Sequence, residues 1–598
     1  MRSVHGETRP QMIASNLSDD RTSRRDATGR LGVNAGKRWI VSAGARLLIG
    51  FAAITCALML WRLRYGIGLT DEAFYMALPW RFVLGDRPFV DELNFMQTAG
   101  MLVAPLVYAW TKVMGSTDGL VLFMRTAWFT LAATTAVVAF RLYGRLLPKP
   151  LALALSMVYV TLVPFTIPNL SYNTLGGGLL TLGLGLLAIE LLDHRDRWWI
   201  AAVAAICHAF AVFAYPSMIV LAIIASAILV MRRDIPGYMA RAYVLSLTVF
   251  AILFTGVLAA LGFDGVASSV EYTRQLYPFF GGSQKLSLLL QQVWRYDRMS
   301  IAVVVAVLSA LTLARKRAPA VRAMSMFVPV LTLWVLRGTP GVATLLWVPI
   351  LGLFGLVLSR LDPMPEFRSV LMLVGSVSIA GGMLTAYTST NGVFNAAIGM
   401  SPIFLVAFPS IFRAGLSRDE LLHPSRWAAA VMATGLMLAA LVFLNYQGAY
   451  GSVNSPSAMR SQANTGPFMF MLGTDDEVAF VQTMQSDVDR YVGPQTRVLF
   501  YYDMIGGYLM SQGRVSAPSA WFGIGPGADL TEVRARPVSR LLRSVSTATL
   551  PDVVFVKRAE VESEELHEPF WYTSESARYE RVLQRDGYDV FVRVDDAE

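Results

Sequence analysis

The sequence predicts an all-α polytopic membrane protein of about 13 transmembrane helices, followed by a C-terminal soluble α/β domain. Three observations predict it. Of the 598 residues, 55% are hydrophobic and only 16% are Asp, Glu, Lys or Arg, whereas about a quarter of an average soluble protein is charged. The apolar residues gather in runs close to the ~20 residues that a helix needs to cross a bilayer, and the mean hydropathy is +0.49. Near residue 446 the composition turns polar, with short β-branched and aromatic runs.

The net charge is +9, but the basic residues form short clusters between apolar runs. That suits a protein holding its cations on one side of a membrane better than a groove for nucleic acid, and no nucleic-acid partner is expected. Cys56 and Cys207 lie inside apolar runs and read as small buried hydrophobes. The five histidines are far apart, so no zinc motif of usual spacing is present. No cofactor is implied with certainty, and a divalent metal remains an option.

Residues 1–44 read as a disordered basic cytoplasmic tail. The transmembrane domain is expected over 45–445. Its thirteen candidate spans are 45–63, 119–140, 151–167, 174–192, 199–214, 217–231, 242–262, 299–314, 321–336, 340–358, 369–387, 399–413 and 426–444. A further apolar stretch, 99–114, holds Pro105 and Lys112. If it stays on the outside, seventeen Lys and Arg fall in the cytoplasmic loops and one, Arg337, in the short outside connections. If it crosses, that asymmetry reverses, against the rule that cations stay inside. The stretch is therefore expected to pack against the membrane from outside. The N-terminus is then cytoplasmic and the C-terminus periplasmic, in a bacterial inner membrane.

Three larger pieces face outward in this layout: a first periplasmic loop, 64–118, a second at 263–298, and the domain 446–598. The last holds strand-like runs at 496–502, 552–557 and 588–594. No internal repeat of the kind that marks many transporters is evident.

The first loop opens GLTDEAFYMALPWRFVLGDRPFVDELNF. Asp71 and Glu72 stand just beyond the first span, and Asp91 and Glu92 follow. A carboxylate at the membrane surface can serve as general base for an acceptor hydroxyl. The plainer reading is that Asp71 and Glu72 favour the positive end of a helix starting there. Ala73 to Leu84 reads as a short amphipathic helix.

The Asp-Glu pair directly after the first span, the DEAFY…LGDRPFVDE loop, an apolar helix ending at Gly115 and Arg125 opening the next span together resemble the GT-C glycosyltransferases. These use polyprenyl-phosphate-sugar donors, and the likeness is greatest to the protein O-mannosyltransferase and lipid A aminoarabinose transferase branch. The resemblance covers about 45–444 in order and topology. It implies a GT-C fold and an inverting sugar transfer. The essential first-loop aspartate matches Asp71, which would act as base, with Glu72 supporting it or sharing its proton. It further implies a polyprenyl-phosphate sugar donor, a glycan, lipid or protein acceptor, and membrane lipids as partners. Relatives often carry an acidic residue in the second outside loop; this chain has none there, which weakens a metal held between the loops.

Other candidates follow from residue type. A departing phosphate needs cations, and Arg274, Lys285 and Arg337 are on the outside; Arg337 stands against the charge rule. Asn169, Tyr172, Asn391 and Asn395 can hydrogen-bond sugar or acceptor hydroxyls. For residues 168–173, a polar turn capping the next helix is an equal reading. Gly176, Gly177 and Gly178 allow close helix packing or leave room for a prenyl chain. Trp521, Phe522, Trp571 and Tyr572 offer rings for sugars, or core. The leading expectation is an integral-membrane glycosyltransferase; the alternative is a transporter or flippase of lipid-linked sugars.

Overall fold

The computed structural model describes residues 20–276, 283–295, 297–315, 324–339, 341–361, 367–413, 418–449, 455–501, 504–517, 519–521, 550–557 and 579–594. Among these residues, eight helices are long and apolar enough to cross a membrane: Trp39–Arg62, Leu120–Leu146, Tyr172–Asp193, Gly237–Leu261, Ala343–Arg360, Arg368–Thr388, Gly392–Arg413 and Pro424–Asn445. Four shorter apolar helices, Lys149–Thr161, Trp198–Ala214, Pro216–Met231 and Arg298–Ser309, fall in further candidate spans. The run 321–336 contains the helix Val328–Leu336.

The first helix, α1, extends over Asp20–Arg62. Residues 20–44, expected as part of a tail without structure, are thus helical, and 1–19 lie outside the described residues. The physical reason is cooperative: extending an existing helix adds one hydrogen bond per residue fixed, without repeating the nucleation cost.

Helix α2 (Asp71–Leu84) and helix α3 (Gln97–Met114) build the first loop, and α4 (Leu120–Leu146) enters the bundle again. Gly85, at φ +107°, ends α2 in the left-handed conformation, its N–H bonded to the carbonyls of Arg81 and Phe82. Helix α3 corresponds to the ambiguous stretch 99–114. Its first residues meet the loop elements: Gln97 Nε2 donates to Glu92 O at 2.9 Å and to Ser269 Oγ at 3.3 Å. Just past its other end, Thr117 Oγ1 donates to Leu509 O of the C-terminal domain at 3.1 Å. That domain also receives α2, since Trp80 Nε1 donates to Ser511 O at 3.0 Å. Both ends of α3 therefore meet the same end of the bundle, and α3 does not traverse it. Ala99, Gly100, Val103 and Val107 are buried, while Leu106, Val113 and Met114 are exposed.

The described residues from 455 onward fold as a mixed sheet with covering helices. Its strands are β1 (Ser461–Gln462), β2 (Leu472–Gly473), β3 (Arg497–Tyr501), β4 (Arg514–Val515), β5 (Val553–Lys557), β6 (Tyr579–Gln584) and β7 (Tyr588–Arg593). The five-stranded sheet has the order β4-β3-β5-β7-β6. β3 pairs in parallel with β4 and β5, and β7 runs antiparallel to β5 and β6. β3, β5 and β7 are the runs foreseen at 496–502, 552–557 and 588–594. Phe500 of β3 stacks on Phe555 of β5 with ring centroids 4.9 Å apart. The helix Asp475–Tyr491 opens with a reciprocal cap: Thr474 Oγ1 accepts from Glu477 N–H, and Glu477 accepts from Thr474 N–H.

Candidate functional site

The site grows from the junction of α1, α2 and α4. Asp71 and Glu72 open α2, where the helix dipole favours negative charge. Adjacent residues of a helix point about 100° apart, so the two acids meet different surroundings. Asp71 is half-buried, and Glu72 has no exposed surface. Arg125, on α4 and itself 1% exposed, answers Glu72 with two charge-assisted bonds, Nε to Oε1 at 2.6 Å and Nη2 to Oε2 at 2.5 Å. Its remaining donors reach the carbonyls of Leu63 at 2.8 Å, Tyr65 at 2.7 Å and Gly66 at 3.0 Å. All five guanidinium N–H groups are used. One arginine thus fixes the end of α1, the start of α2 and the start of α4 relative to one another.

Glu72 was expected to support Asp71 or to share its proton, and the contacts fit a supporting role. Its carboxylate is held by a guanidinium and approached by Asn169 Nδ2 at 3.4 Å, so it is a structural anion. Asn169 is fully buried, and its Oδ1 accepts from Leu170 N–H at 2.7 Å. The neighbouring turn is a helix cap: Ser171 Oγ accepts from Thr174 N–H at 3.2 Å, and Ser171 N–H donates to Thr174 Oγ1 at 2.8 Å. Packing explains the glycines that follow, since a Cβ on Gly177 would stand 2.9 Å from the Ile398 carbonyl oxygen.

One turn beyond Asp71, Tyr75 starts a row of rings. Its centroid lies 5.7 Å from that of Tyr172, which lies 5.4 Å from that of Tyr215. The Tyr215 hydroxyl faces the side chains of Thr388 and Asn395. Asn395 is fully buried, and among the described residues neither amide atom has a hydrogen-bond partner of good geometry. An unmet buried amide is unusual in a folded core. Next to it, Lys285 reaches in from the helix Ser283–Arg295; its Nζ donates to Ser389 O at 2.5 Å, and burial lowers its pKa below the ordinary lysine value. Gln292 of the same helix accepts from Val393 N–H at 3.1 Å. The structure therefore brings Asp71, Glu72, Asn169, Tyr172, Asn395 and Lys285 to one end of the bundle, linked by contacts.

Four other candidates stand apart. Arg274 has an 81% exposed side chain, 3.7 Å from Glu271. Arg337 is exposed and lies over Trp334, 3.3 Å from its ring centroid; the Arg298 guanidinium lies against the adjacent Gly338. Asp91 pairs with Arg87 on the surface at 3.3 Å. Asn391 is exposed, its N–H donated to Ser389 Oγ at 3.1 Å.

Glu92 does something the sequence did not suggest. Its carboxylate is buried against the C-terminal domain, accepting from Ala520 N–H at 2.8 Å and from Asn94 N–H at 2.8 Å, with Ser519 also bonded to it. Burial is the main cause that raises its pKa to about 7. Nearby, the Trp521 ring meets Phe74 edge-on at 5.0 Å, so this candidate sugar platform packs against α2 instead. Phe522, Trp571 and Tyr572 lie outside the described residues.

Arg125 as the partner of Glu72, Tyr75 and Tyr215 complete the site. Arg125 was marked only by its place at the start of a span, and nothing in the local sequence singled out Tyr215. Among the described residues, no three of His, Cys, Asp and Glu converge to hold a metal ion. An apolar groove of about 460 Å³ lies in the half of the bundle nearer the site, walled by Phe210, Phe213, Phe250 and Phe254.

No family model matches the sequence, and no curated protein matches it. Among solved structures, the chain is similar to the crystal structure of ArnT from Cupriavidus metallidurans bound to undecaprenyl phosphate, with 14% identity, 91% of this chain and 98% of that chain covered, and a TM-score of 0.39.

Proposed function

We propose that the protein is a membrane glycosyltransferase of the GT-C type that moves a sugar from a polyprenyl-phosphate carrier to an acceptor hydroxyl. The observation that carries this reading is the unequal state of two adjacent acids: Glu72 saturated by Arg125, and Asp71 half-buried beside it, at the membrane-surface end of the bundle. The first makes the helix start rigid; the second is the carboxylate for chemistry. Tyrosine hydroxyls and the Asn395 amide supply uncharged donors and acceptors for a sugar, and Lys285 a cation for the phosphate.

In this reading Asp71 takes the proton of the acceptor hydroxyl as its oxygen attacks the anomeric carbon. The bond from that carbon to the phosphate oxygen breaks, and the prenyl phosphate leaves with the electron pair, its charge met by Lys285. Attack opposite the leaving group inverts the anomeric centre. The phenylalanine-walled groove suits the hydrocarbon tail of the donor. The basic clusters at the other end of the bundle support a periplasmic location for the site. The acceptor is a hydroxyl of a glycan, lipid or protein.

The test uses purified full-length protein and a panel of synthetic prenyl-phosphate sugars. Asp71→Asn is expected to lower transfer by about 10²- to 10⁴-fold, the usual worth of a positioned base, with melting temperature unchanged. Transfer at the parent rate in that variant overturns the assignment.

A further inference from the structure

A second cleft, of about 360 Å³, opens where the C-terminal domain meets α2 and α3. It is not part of the Asp71 ring. Its walls include Trp80 of α2, Tyr108 and Lys112 of α3, Asp118 before α4, and Gln485 and Asp489 of the helix Asp475–Tyr491. Trp80 lies nine residues along α2 from Asp71, about 14 Å at the rise of an α-helix.

The cleft is built by helix geometry. Tyr108, Thr111, Lys112 and Gly115 recur at three and four residues and share one face of α3. Gln485 and Asp489, four apart, share a face of the opposing helix. Gln485 Nε2 donates to Asp489 Oδ1 at 2.9 Å, which orients the amide. Its Oε1 is then buried with no hydrogen-bond partner among the described residues. Gly466, at φ +70°, makes room for that oxygen; a Cβ there would stand 2.6 Å from it. The amide thus holds the Asp489 carboxylate in a fixed orientation at the wall of the cleft.

The lining selects the class of ligand. One cation, Lys112, faces two carboxylates, Asp118 and Asp489, so the balance disfavours an anion. Lys112 Nζ sits 5.3 Å from the Tyr108 ring centroid. Trp80, whose Nε1 is committed to Ser511 O, adds a second ring held in a fixed orientation. Rings beside carboxylates, amides and hydroxyls match a molecule with apolar faces and closely spaced hydroxyls. We infer that this cleft binds a neutral oligosaccharide segment of the acceptor, holding it while its end reaches Asp71. The inference rests on the proposed glycosyltransferase reading for its purpose, but not for its measurement.

The measurement is binding of neutral mannose, glucose, galactose and rhamnose tetrasaccharides, and of the matching monosaccharides, to the full-length protein in nanodiscs. Saturation-transfer NMR and tryptophan fluorescence report it without turnover. A tetrasaccharide is expected to bind about tenfold more tightly than its monosaccharide, and Gln485→Leu and Tyr108→Ala each to weaken it by about tenfold. Asp71→Asn should bind it like the parent protein. Binding by no tetrasaccharide of the panel overturns the inference, as does equal binding by both cleft variants. Loss of binding in Asp71→Asn would also overturn it, by moving the sugar to the other site. Failure of the catalytic reading shows separately, as transfer retained by Asp71→Asn.

Discussion

The two ends of the helical bundle use their charged residues in opposite ways. At the end bearing the first loop, Glu72 and Arg125 are both sealed from solvent and hydrogen-bonded without remainder. At the other end, Arg145 bridges to Asp193, Arg197 to Asp193 and Glu190, and Arg232 to Asp234, with every arginine of the set partly exposed. This network ties loops together through arginines that stay partly open to solvent, although Glu190 itself is buried. The sealed pair sets the position of a helix start to within one side-chain geometry. The difference teaches that ion pairs at the two ends answer to different demands, one electrostatic and tolerant, the other geometric and strict.

The largest effect that can break this comparison comes from Arg125. Replacing it by Met strands a buried carboxylate and should cost about 3–5 kcal/mol, read as a lower melting temperature in detergent, with transfer lost alongside. Arg145→Ala, at the opposite end, should cost no more than about 1 kcal/mol. Equal losses would erase the distinction.

Glu92 sharpens it next. Its pKa is raised to about 7 in the folded protein, above the ordinary value near 4.5. The neutral acid is therefore favoured by folding, and the contribution is fully present below about pH 4.5 and lost as pH rises through 7. A shift of that size is worth roughly 3 kcal/mol. The C-terminal domain should be held more firmly to the first loop at pH 5 than at pH 8, seen as higher hydrogen-exchange protection factors over 504–517 and 519–521 once the intrinsic pH dependence of exchange is divided out. Glu92→Gln should remove the pH dependence; an unchanged profile in that variant would assign it elsewhere.

The smallest contrast concerns two cations of the segment 263–298. Lys285→Ala should weaken donor binding by about tenfold, the scale of one charge-assisted hydrogen bond, whereas Arg274→Ala should leave it unchanged. The reverse order would exchange their roles.

The apolar helices and the strands of the C-terminal sheet were legible because each rests on a local regularity. Runs of apolar residues, the side on which cations fall and β-branched stretches are all read within a short window. Asp71 was singled out for the same reason, as an acid at the end of a span. The partners were not. Glu92 meets Ala520 across 428 residues of chain, and Arg125 meets Glu72 across 53. Whether a carboxylate is solvated, paired or buried against a distant backbone depends on contacts that no window of sequence contains. Tyr215 shows the same limit, since it joins the site only because two helices fold back beside Tyr172.

The grip of the C-terminal domain on α2 has a consequence for how the molecule is made. Trp80, Arg81 and Glu92 emerge from the ribosome hundreds of residues before their acceptors and donors at Ser511, Gly513 and Ala520. Throughout translation of the intervening spans, the loop that carries Asp71 must wait with those groups unmatched. In the proposed reading, competence would then arrive as a late event in biogenesis, when the C-terminal domain closes over a loop made hundreds of residues before.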